Sequence, residues 1–386
     1  MKVCFFAHYS KTYQNGATLS LINIANEMVD KGIEVIIILP NKSIQYPINN
    51  KKIKCITIPT LSMRTKVEND GVVNKFKGII KSFYNWFSMK KALMVLNKEK
   101  LDFIHINGLD SGIGAKVAKK LNVPYIWHIR QLLEEDFGMK LHNEKKIYKL
   151  LKRSDSIIAI SKTVKEKFER IVEKDIALIY NGIPIKNYRI EEKESFSDKV
   201  INILLAGRII EQKGQFDAVK AIGHLVNSGI NNLHLTIVGN SADTDYVNKI
   251  KSYIKNQGLK NYIEISDHVN DLRQLRKNCD IGLICSKKEA FGRVTIETMI
   301  SRMLAIGANT GGTAEVIEDN VTGLLYVEGD HLSLASQIKY AIENKQAMNT
   351  IIEEGYKSVL ENYSISGVVD QIIDLYYTVR QEKLEE

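Results

Sequence analysis

The chain repeats one pattern from end to end, in which short apolar runs alternate with longer segments of amphipathic, helix-like periodicity. The runs have the length of buried strands, and helical patterns such as 17–31 and 111–121 fall between them. This alternation predicts parallel α/β sheets, because a helix must carry the chain back before each new parallel strand. The predicted strands are VCFFAH, EVIIILP, DFIHIN, YIWHI, SIIAI and IALIY, and in the second half INILLAG, LHLTIVG, YIEIS, DIGLIC and MLAIGA.

The pattern stops once and then restarts, which indicates two domains. A length of 386 residues exceeds the usual size of one domain. The stretch 181–199 between the two series is polar, carries Pro184 and lacks periodicity, so it is the best linker candidate. The last helix has an apolar face that fits either domain, including a return to the N-terminal one. We predict a Rossmann-like N-terminal domain over 1–185, a linker over 186–199, a Rossmann-like C-terminal domain over 200–364 and a final helix over 365–386.

Cysteine usage and hydropathy bear on the compartment. The four cysteines are scattered and form no CxxC pair, so neither a disulfide framework nor a metal or redox motif is supported. The first apolar stretch is too short for a signal peptide, and no run reaches the roughly 18 apolar residues that span a bilayer. These features predict a cytoplasmic protein, free or peripheral at the inner face of the cell membrane.

Charge is distributed unevenly along the chain. Residues 1–190 carry a net charge of +16 and residues 191–386 carry −7, which together give the overall +9. A basic half attracts polyanions, such as anionic lipid headgroups or phosphorylated substrates. No helix-turn-helix, zinc ligand set or aromatic-basic RNA signature accompanies it, so we expect no nucleic-acid partner.

The strongest motif is SKKEAFGRVTIETM over 286–299, which directly follows the strand DIGLIC. Glu289 lies in a loop, and Glu297 lies about one turn into a helix that begins near Arg293. Gly292 between them lets the backbone approach a ligand closely. The helix start offers unpaired N–H groups and the positive end of a dipole, which suit a diphosphate. An acidic loop, a glycine and a helix start in this order predict a binding site after the strand.

Two cations follow another predicted strand in LLAGRIIEQKG over 204–214. The strand ends at Gly207, and Arg208 and Lys213 lie on the connecting turn. Such cations could neutralise a diphosphate, although taken alone they could equally be exposed surface charges. A Gly-Gly turn in NTGGTAEVI, over 309–317, follows the strand MLAIGA and is predicted to place Glu315 at a helix start.

The series GR…EQKG, E-A-F-G-x-x-x-x-E, T-G-G-x-x-E and G-L-L resembles the retaining glycosyltransferases of family 4, of the bacterial surface-polysaccharide type. The resemblance implies the GT-B fold, an α/β fold in which two Rossmann-like domains face each other across a deep cleft. It implies an acceptor-binding N-terminal domain and a C-terminal domain that binds the nucleotide sugar. In the matched roles, Arg208 and Lys213 grip the donor diphosphate, Glu289 faces the donor sugar, and Glu297 hydrogen-bonds the ribose. The other donor-binding residues implied in this half are Gly207, Phe291, Gly292, Arg293, Val294 and Thr295.

The first half matches the same family. Asn15 precedes Gly16 and Ala17 after the first strand, resembling the family's glycine-rich loop near the donor phosphates and the acceptor. Asn15 replaces the usual first glycine and, like glycine, tolerates unusual backbone angles. The strand YIWHI places His128 near its end, where the family has a histidine against the donor sugar, although a lone histidine there could be purely structural.

The implied activity is a retaining, metal-independent transfer from a nucleotide-diphosphate sugar, with a UDP-sugar favoured and no cofactor. The implied acceptor is a saccharide or a polyprenyl-linked sugar in cell-surface polysaccharide synthesis. A nucleotide-sugar 2-epimerase of the same architecture and a non-catalytic nucleotide-sugar-binding protein are the alternatives. A DxD motif, Asp243-Thr244-Asp245, is interpreted as surface, not as a metal site. Gly112-Ile113-Gly114 lacks the third glycine of a dinucleotide fingerprint, which disfavours a dehydrogenase.

Residues 75–100 mix basic and aromatic residues at helical spacing. One interpretation is a crossover helix whose apolar stripe, including Ile79, Ile80, Phe83 and Phe87, covers the sheet; this is the one we favour. The other is an interfacial helix on an anionic membrane, and the two are compatible if the stripe is buried and the lysines face lipid. The predicted acceptor or membrane face consists of Lys75, Lys77, Lys81, Lys90 and Lys91.

Overall fold

The computed structural model describes residues 1–10, 15–42, 44, 46–48, 50–68, 71–197, 199–241, 243–267, 269 and 271–385. Within them the chain forms two compact units. The N-terminal unit comprises Met1–Ile183 and the C-terminal helix from Ile365, and the C-terminal unit comprises Pro184–Ser364. Each unit is built on one parallel sheet, so the chain has the predicted pair of Rossmann-like α/β domains.

The sheet of the N-terminal unit has seven strands, and every pair of neighbours runs parallel. Its strands, from one edge to the other, are β3 (Lys54–Thr57), β2 (Glu34–Leu39), β1 (Lys2–Phe6), β5 (Phe103–Asn107), β6 (Tyr125–Ile129), β8 (Ser156–Ala159) and β9 (Ala177–Leu178). A separate antiparallel pair joins β4 (Arg64–Lys66) to β7 (Met139–Leu141). The central strands β1, β5 and β6 are buried along almost their whole length, as their unbroken apolar runs predict.

Helices connect the parallel strands of this unit. They are α1 (Gly16–Asp30), α2 (Val72–Leu96), α3 (Gly112–Leu121), α4 (Leu133–Phe137), α5 (Glu144–Lys152), α6 (Lys162–Val172) and, at the C-terminus, α14 (Ile365–Glu385). The glycines at the start of α3 serve packing, because a Cβ on Gly114 would lie 2.9 Å from the Phe6 ring. Packing therefore accounts for these glycines, and no bound dinucleotide is needed to explain them.

The C-terminal unit has a six-stranded sheet whose neighbours are again all parallel. Its strands in spatial order are β12 (Ile263–Ser266), β11 (Leu233–Val238), β10 (Ile201–Ala206), β13 (Ile281–Ile284), β14 (Leu304–Ala308) and β15 (Leu324–Tyr326). Its helices are α7 (Gln215–Asn227), α8 (Thr244–Asn256), α9 (Arg273–Lys277), α10 (Arg293–Ile300), α11 (Gly311–Val316), α12 (His331–Glu343) and α13 (Lys345–Asn362). Single 3-10 turns lie at Ile185–Asn187, Glu211–Lys213 and Leu259–Asn261.

Each predicted strand corresponds to a strand of one of these two sheets. The strands that the sequence did not indicate are β3, β4, β7 and β15, which span three or four residues each. β4 and β7 include Lys or Arg, and β3 and β15 are sheet edges, so none shows the long apolar run of a central strand.

The stretch predicted as the linker, 186–199, belongs to the C-terminal unit in the structure. Phe196 is buried in that unit's core, and its backbone N–H donates to Asp280 Oδ1 at 2.6 Å. The other oxygen of Asp280 accepts from the N–H of Asn202 at 2.9 Å, at the start of β10. The polar composition of this stretch therefore reflects hydrogen bonding to the domain and not a free connection.

The C-terminal helix α14 packs on the N-terminal unit. Its apolar face joins the core that lies between α1 and the sheet. The buried residues of this face are Val368, Val369, Ile372, Tyr376 and Val379. The last helix in sequence thus completes the hydrophobic core of the first domain.

Replacing Ile372 by alanine should lower the free energy of unfolding of the protein by about 2–5 kcal/mol, the usual cost of such a core truncation. Ile372 is fully buried, so the lost contacts leave a cavity. Tyr377→Ala, at an exposed position of the same helix, is the control and should change stability by about 0.5 kcal/mol or less. Denaturant unfolding measures both, and equal effects of the two substitutions would contradict the described packing of α14.

Candidate active site

The sheet of the C-terminal unit has one switch point. β10 lies between β11 and β13, so the strand order runs outward in opposite directions from the β10–β13 pair. Ligands of open parallel sheets bind at the carboxyl ends of the strands at such a point, because the connecting loops diverge there. Two of the predicted motifs leave the sheet at this place, 207–213 after β10 and 285–292 after β13.

The two loops are held against each other by backbone contacts. The N–H of Lys287 donates to the Gln212 carbonyl at 3.0 Å. Gly214, which begins α7, has a φ of +67°, and a Cβ on it would overlap the carbonyl of Cys285. Glycine is needed at 214 for both reasons, since any side chain would push the two loops apart.

This contact brings together two predicted catalytic residues, Lys213 and Glu289. Lys213 Nζ lies 2.6 Å from Glu289 Oε2, and both side chains are largely buried. Burial raises the pKa of Glu289, but the charge and hydrogen bond of Lys213, with further help from Ser286 and Arg208, more than offset it. The net pKa lies below its ordinary value, so Glu289 is a carboxylate at neutral pH. Arg208 itself is exposed on the same loop.

The start of α10 forms the next wall of the site. Gly292, with a φ of +84°, begins the helix, and a Cβ on it would lie 3.0 Å from Thr295 Oγ1 and 3.3 Å from Thr313 Oγ1. Both threonines are fully buried, and neither hydroxyl has a hydrogen-bond partner within the described part of the chain. Two buried hydroxyls therefore converge on the helix start, beside the N–H groups that its first turn leaves without intrahelical acceptors.

The Gly-Gly motif supports the acidic loop. A Cβ on Gly311 would lie 2.5 Å from the Glu289 carbonyl oxygen, and one on Gly312 would overlap the backbone of Phe291. The N–H of Gly312 also donates to that carbonyl of Glu289 at 2.8 Å. The two glycines begin α11, and Glu315 lies near its end, so the expectation that Glu315 starts the helix was wrong. The pair sets the position of the loop as well as turning the chain.

Glu297 is bound by two arginines. Arg276 Nη2 lies 2.6 Å from Glu297 Oε2, and Arg293 Nη2 lies 3.2 Å from Oε1. Arg276 is buried and its guanidinium also stacks near the Tyr188 ring, at 5.5 Å from the centroid. Arg276 could not be predicted as a site residue, because it does not directly follow a strand and has no glycine beside it. Glu297, the residue predicted to bind the ribose, thus lies in a charge network within the C-terminal unit.

The remaining predicted donor residues of this unit sit around the same helix start. Gly207 follows β10, Phe291 is buried, and Val294 lies in the first turn of α10. Arg208, Lys213 and Glu289 therefore share one edge of the sheet with the start of α10, whereas His128, Gly16 and Ala17 belong to the other unit.

In the N-terminal unit the strand order reverses between β1 and β5. His8, just after β1, meets Asn107 at the end of β5, with 3.1 Å between Nδ1 and Asn107 Nδ2. His8 Nε2 lies 3.1 Å from Asn15 Oδ1, which also accepts from the N–H of Thr18 and so caps α1. Asn15 has a φ of −103°, so its role is capping and not an unusual backbone angle. Gly16 and Ala17 form the first turn of α1 beside this network.

His128 lies at the end of β6 and is buried. Its Nδ1 lies 3.1 Å from His105 Nε2, and its Nε2 has no hydrogen-bond partner among the residues that the structure describes. Arg130, two residues on, donates through Nε to Asn107 Oδ1 at 2.8 Å at the β1–β5 switch point, and, in addition to burial, its charge helps to lower the pKa of His128. The sequence predicted His128 as a site residue but not His8, Asn107 or Arg130. These three residues alternate with apolar ones and look like ordinary strand ends.

Helix α2 corrects the favoured interpretation of residues 75–100. The apolar stripe does not cover the sheet, because Ile79 is 65% and Phe83 64% exposed, with Phe76, Ile80, Trp86 and Phe87 also exposed. The buried side carries Gly78, Asn85, Ser88, Met89, Ala92 and Leu96 instead, and the Asn85 side chain bonds both backbone groups of Leu61. Lys75, Lys77, Lys90 and Lys91 are exposed, whereas Lys81 is partly buried and donates to the Arg64 carbonyl at 3.3 Å. Among the described helices, α2 included, we find no candidate for a membrane-spanning segment.

Asp243 has a structural role that accounts for the DxD motif. Its carboxylate accepts from the N–H of Tyr246 at 3.0 Å and so caps α8. The described residues contain no group of three or more His, Cys, Asp or Glu side chains that could hold a metal ion.

Replacing Lys213 by methionine should raise the pKa of Glu289 above its wild-type value, because burial would then act without the neighbouring ammonium. The pKa can be followed by 13C NMR titration of the glutamate carboxyl groups, with Glu289→Gln to assign the signal. Lys287→Met is the matched control, since Lys287 lies on the same loop but pairs with Glu211 at 3.2 Å. An unchanged titration of Glu289 in Lys213→Met would show that the pair is not formed.

Comparison with known proteins places this site in a family. The family model described as Glycosyltransferase Family 4 matches residues 14–187, and the model described as Glycosyl transferases group 1 matches residues 187–358. The capsular polysaccharide biosynthesis glycosyltransferase CapM of Staphylococcus aureus is 26% identical over 76% of this chain and 81% of its own length.

Two further comparisons agree. An alpha-1,4-N-acetyl-D-galactosaminyltransferase of Campylobacter jejuni, named for a diNAcBac-PP-undecaprenol-linked substrate, is 22% identical over 78% of this chain and 81% of its own length. The crystal structure of HepE of Anabaena in complex with UDP and glucose superposes with a TM-score of 0.76 at 22% identity, covering 98% of this chain and 100% of that one. The two matched models, which together span nearly the whole chain, and the paired parallel sheets show that this protein belongs to the family 4 type of glycosyltransferases with the GT-B fold.

Proposed function

We propose that this glycosyltransferase moves a sugar from a UDP-sugar to a lipid-linked saccharide, with retention of configuration and without a metal ion. The observation that carries the proposal is the Lys213–Glu289 ion pair, beside Arg208 and the start of α10, at the switch point of the C-terminal sheet.

The diphosphate is the first ligand that this geometry suits. Lys213 and Arg208 come from one loop. The lysine ammonium offers a compact positive charge and the arginine guanidinium offers paired N–H donors, and both suit a phosphate group. The first-turn N–H groups of α10 and the inward hydroxyls of Thr295 and Thr313 add neutral donors. When the bond between sugar and phosphate breaks, these groups stabilise the negative charge on the departing UDP. No metal ion is needed for that task.

Glu289 then acts on the sugar. It is ionised at neutral pH, so it can only accept hydrogen bonds, and sugar hydroxyls are suitable donors. On donor binding, Lys213 exchanges part of its contact with Glu289 for the phosphate, which leaves carboxylate oxygens for the sugar. We assign Glu289 a positioning role and not that of a covalent nucleophile. In the retaining route we propose, the departing phosphate takes the proton of the acceptor hydroxyl, and the acceptor attacks from the same face.

Glu297 fits the nucleoside. Arg276 and Arg293 fix its carboxylate, and the two oxygens still have lone pairs free for ribose hydroxyls. The two ion pairs also compensate the charge of this partly buried carboxylate and hold it in one orientation.

The acceptor is inferred from relatives. CapM is named for capsular polysaccharide synthesis, and the Campylobacter enzyme is named for an undecaprenol-linked substrate. A polyprenyl-linked saccharide lies at a membrane surface, so the exposed aromatic and basic face of α2 is consistent with this acceptor class. We propose that synthesis of a bacterial surface polysaccharide at the inner face of the cell membrane is the setting.

Arg208→Ala and Lys213→Ala should each lower turnover on the order of 10²-fold, the typical effect of removing one stabiliser of transition-state charge. Lys339→Ala is the control, because Lys339 lies on α12 and pairs with Glu343. The assay is release of UDP from a panel of UDP-sugars in the presence of a polyprenyl-linked saccharide. Near-native rates in both site variants would rule out the proposed diphosphate grip.

The exposed face of α2 is proposed to bind an anionic bilayer. Phe83, Trp86 and Phe87 pack on one another at the surface, with ring centroids 4.9–6.3 Å apart, and Lys90 Nζ lies 5.3 Å from the Trp86 ring. Aromatic rings at the headgroup level with adjacent lysines are typical of helices that lie in the membrane interface.

Reversing the five lysines of α2, four of which are exposed, to glutamate should release the protein from vesicles that contain an anionic phospholipid. Each lysine near such a surface contributes roughly 1 kcal/mol, and salt weakens the contribution. The five residues are Lys75, Lys77, Lys81, Lys90 and Lys91. A control variant reverses five lysines elsewhere in the same unit, namely Lys51, Lys52, Lys119, Lys120 and Lys149. Flotation at low and high salt decides the question, and wild type that does not float at low salt would refute the membrane contact.

A further inference from the structure

A line of three buried side chains leads from the C-terminal helix to His128. The hydroxyl of Tyr376 on α14 lies 2.6 Å from His105 Nδ1 on β5. On the other side of that ring, His105 Nε2 lies 3.1 Å from His128 Nδ1 on β6. All three side chains are at most 1% exposed, so water does not compete for these hydrogen bonds. The last helix of the chain therefore contacts a predicted catalytic residue through one intermediate ring.

The proton positions along this line follow from its ends. The Tyr376 hydroxyl has His105 Nδ1 as its one hydrogen-bond partner within the described residues, so its proton has only that acceptor. If Tyr376 donates to Nδ1, neutral His105 carries its own proton on Nε2 and donates it to His128 Nδ1. His128 then accepts at Nδ1 and carries its proton on Nε2.

The reverse direction is disfavoured. It would need His128 to donate from Nδ1 and His105 to donate from Nδ1 to the tyrosine oxygen. The phenol proton would then be buried without an acceptor among the described residues, and a buried donor of this kind is costly.

The electrostatics of the cluster agree with two neutral rings and an intact phenol. Burial, with a further effect of the Arg130 charge, holds the pKa of His105 and of His128 well below the ordinary value. Burial also raises the pKa of Tyr376 well above its ordinary value, although Arg130 opposes it. Tyr376 therefore keeps the proton that the line requires, and neither histidine takes up a second one near neutral pH.

The hydrogen-bonded series ends at His128. The Nε2 atom of His128 is buried and has no hydrogen-bond partner among the described residues. A buried donor at the carboxyl end of a central strand, with a fixed ring orientation and no partner, indicates a ligand atom that accepts a hydrogen bond.

We propose that Tyr376 is a positioning residue, which acts through His105 to hold His128 as a neutral ring with its proton on Nε2, ready to donate to an oxygen of the transferred sugar. The sugar as ligand rests on the proposed function; the tautomer does not. The proposal also gives α14 a task beyond completing the core, since it orients a functional side chain of the N-terminal unit.

The tautomer can be measured directly without any substrate. Ring nitrogens with and without a proton differ widely in 15N chemical shift, and the protein has eight histidines, so His128→Asn serves to assign the signal. Wild type should show a protonated Nε2 and a bare Nδ1 at His128. Tyr376→Phe keeps the ring that stacks on Phe103, at 4.8 Å between centroids, and removes only the hydroxyl. In this variant His128 should become a mixture of both tautomers.

Tyr125→Phe is the matched control. It also removes one partly buried hydroxyl from the N-terminal unit, which donates to the Leu150 carbonyl at 2.8 Å, away from the histidines. It should leave the His128 signals as in wild type. A wild-type His128 with its proton on Nδ1, or a Tyr376→Phe spectrum identical to wild type, would overturn the proposal.

Kinetics separate the tautomer from the proposed function. With UDP-glucose as the probe, Tyr376→Phe should lower kcat about tenfold, within the range for losing an outer partner of a functional histidine, and Tyr125→Phe should not. The affinity for UDP should be unchanged in both variants. One outcome would separate the two proposals. If His128 shows the predicted tautomer but the wild-type protein releases no UDP from UDP-glucose, UDP-galactose or UDP-N-acetylglucosamine, the hydrogen-bonded series from Tyr376 to His128 is supported and the proposed function is contradicted. Equal kcat values in wild type and Tyr376→Phe would contradict the role assigned to Tyr376 in catalysis.

Discussion

The ion pair between Lys213 and Glu289 is the interaction on which the candidate site depends. It joins two loops that the chain order separates by 76 residues, and it does so only because β10 and β13 are neighbours at the switch point of the sheet. A largely buried carboxylate is costly unless it is paired, so the pair fixes the geometry of both loops before any ligand arrives. The glycines at 214, 311 and 312 permit this approach, because a side chain at any of them would collide with the backbone of the acidic loop or its neighbour Cys285. The cation and the carboxylate are therefore preorganised for a ligand that carries both phosphate and hydroxyl groups.

In the N-terminal unit, hydrogen bonds between uncharged side chains fix the groups at the switch point of the sheet. Its switch point carries His8, Asn107 and Asn15 in one hydrogen-bonded cluster, and Arg130 supplies a nearby buried charge. Such networks are favourable when every member is satisfied, and they fix side-chain direction more firmly than apolar packing does. The Nε2 atom of His128 is informative, because it is buried near the carboxyl end of a central strand and has no hydrogen-bond partner among the described residues.

Much of the fold could be predicted from sequence, because strands buried on both faces leave unbroken apolar runs. The short strands β3, β4, β7 and β15 could not, since three or four residues at an edge or in a separate pair carry no such signal. The acidic loop and the cations after β10 were predicted because they follow strands directly. Arg276, Thr313 and His105 were not, since their importance arises from contacts between elements distant in the chain. The exposed stripe of α2 was misjudged, because amphipathic periodicity identifies the apolar face but not the side that meets the core. In α2, Asn85 and Ser88 form hydrogen bonds with the 59–61 segment. These bonds hold that side of the helix inward, so the apolar stripe faces outward.

We propose that the protein's own cations, without a metal ion, carry a transfer that keeps the configuration of the sugar. The most direct measurement is a 1H NMR time course of the product formed from an α-configured UDP-sugar in the presence of EDTA. We expect an α-linked product, formed at the same rate with and without the chelator. A β-linked product, or a reaction that stops with EDTA and resumes with Mn²⁺, would refute this mechanism.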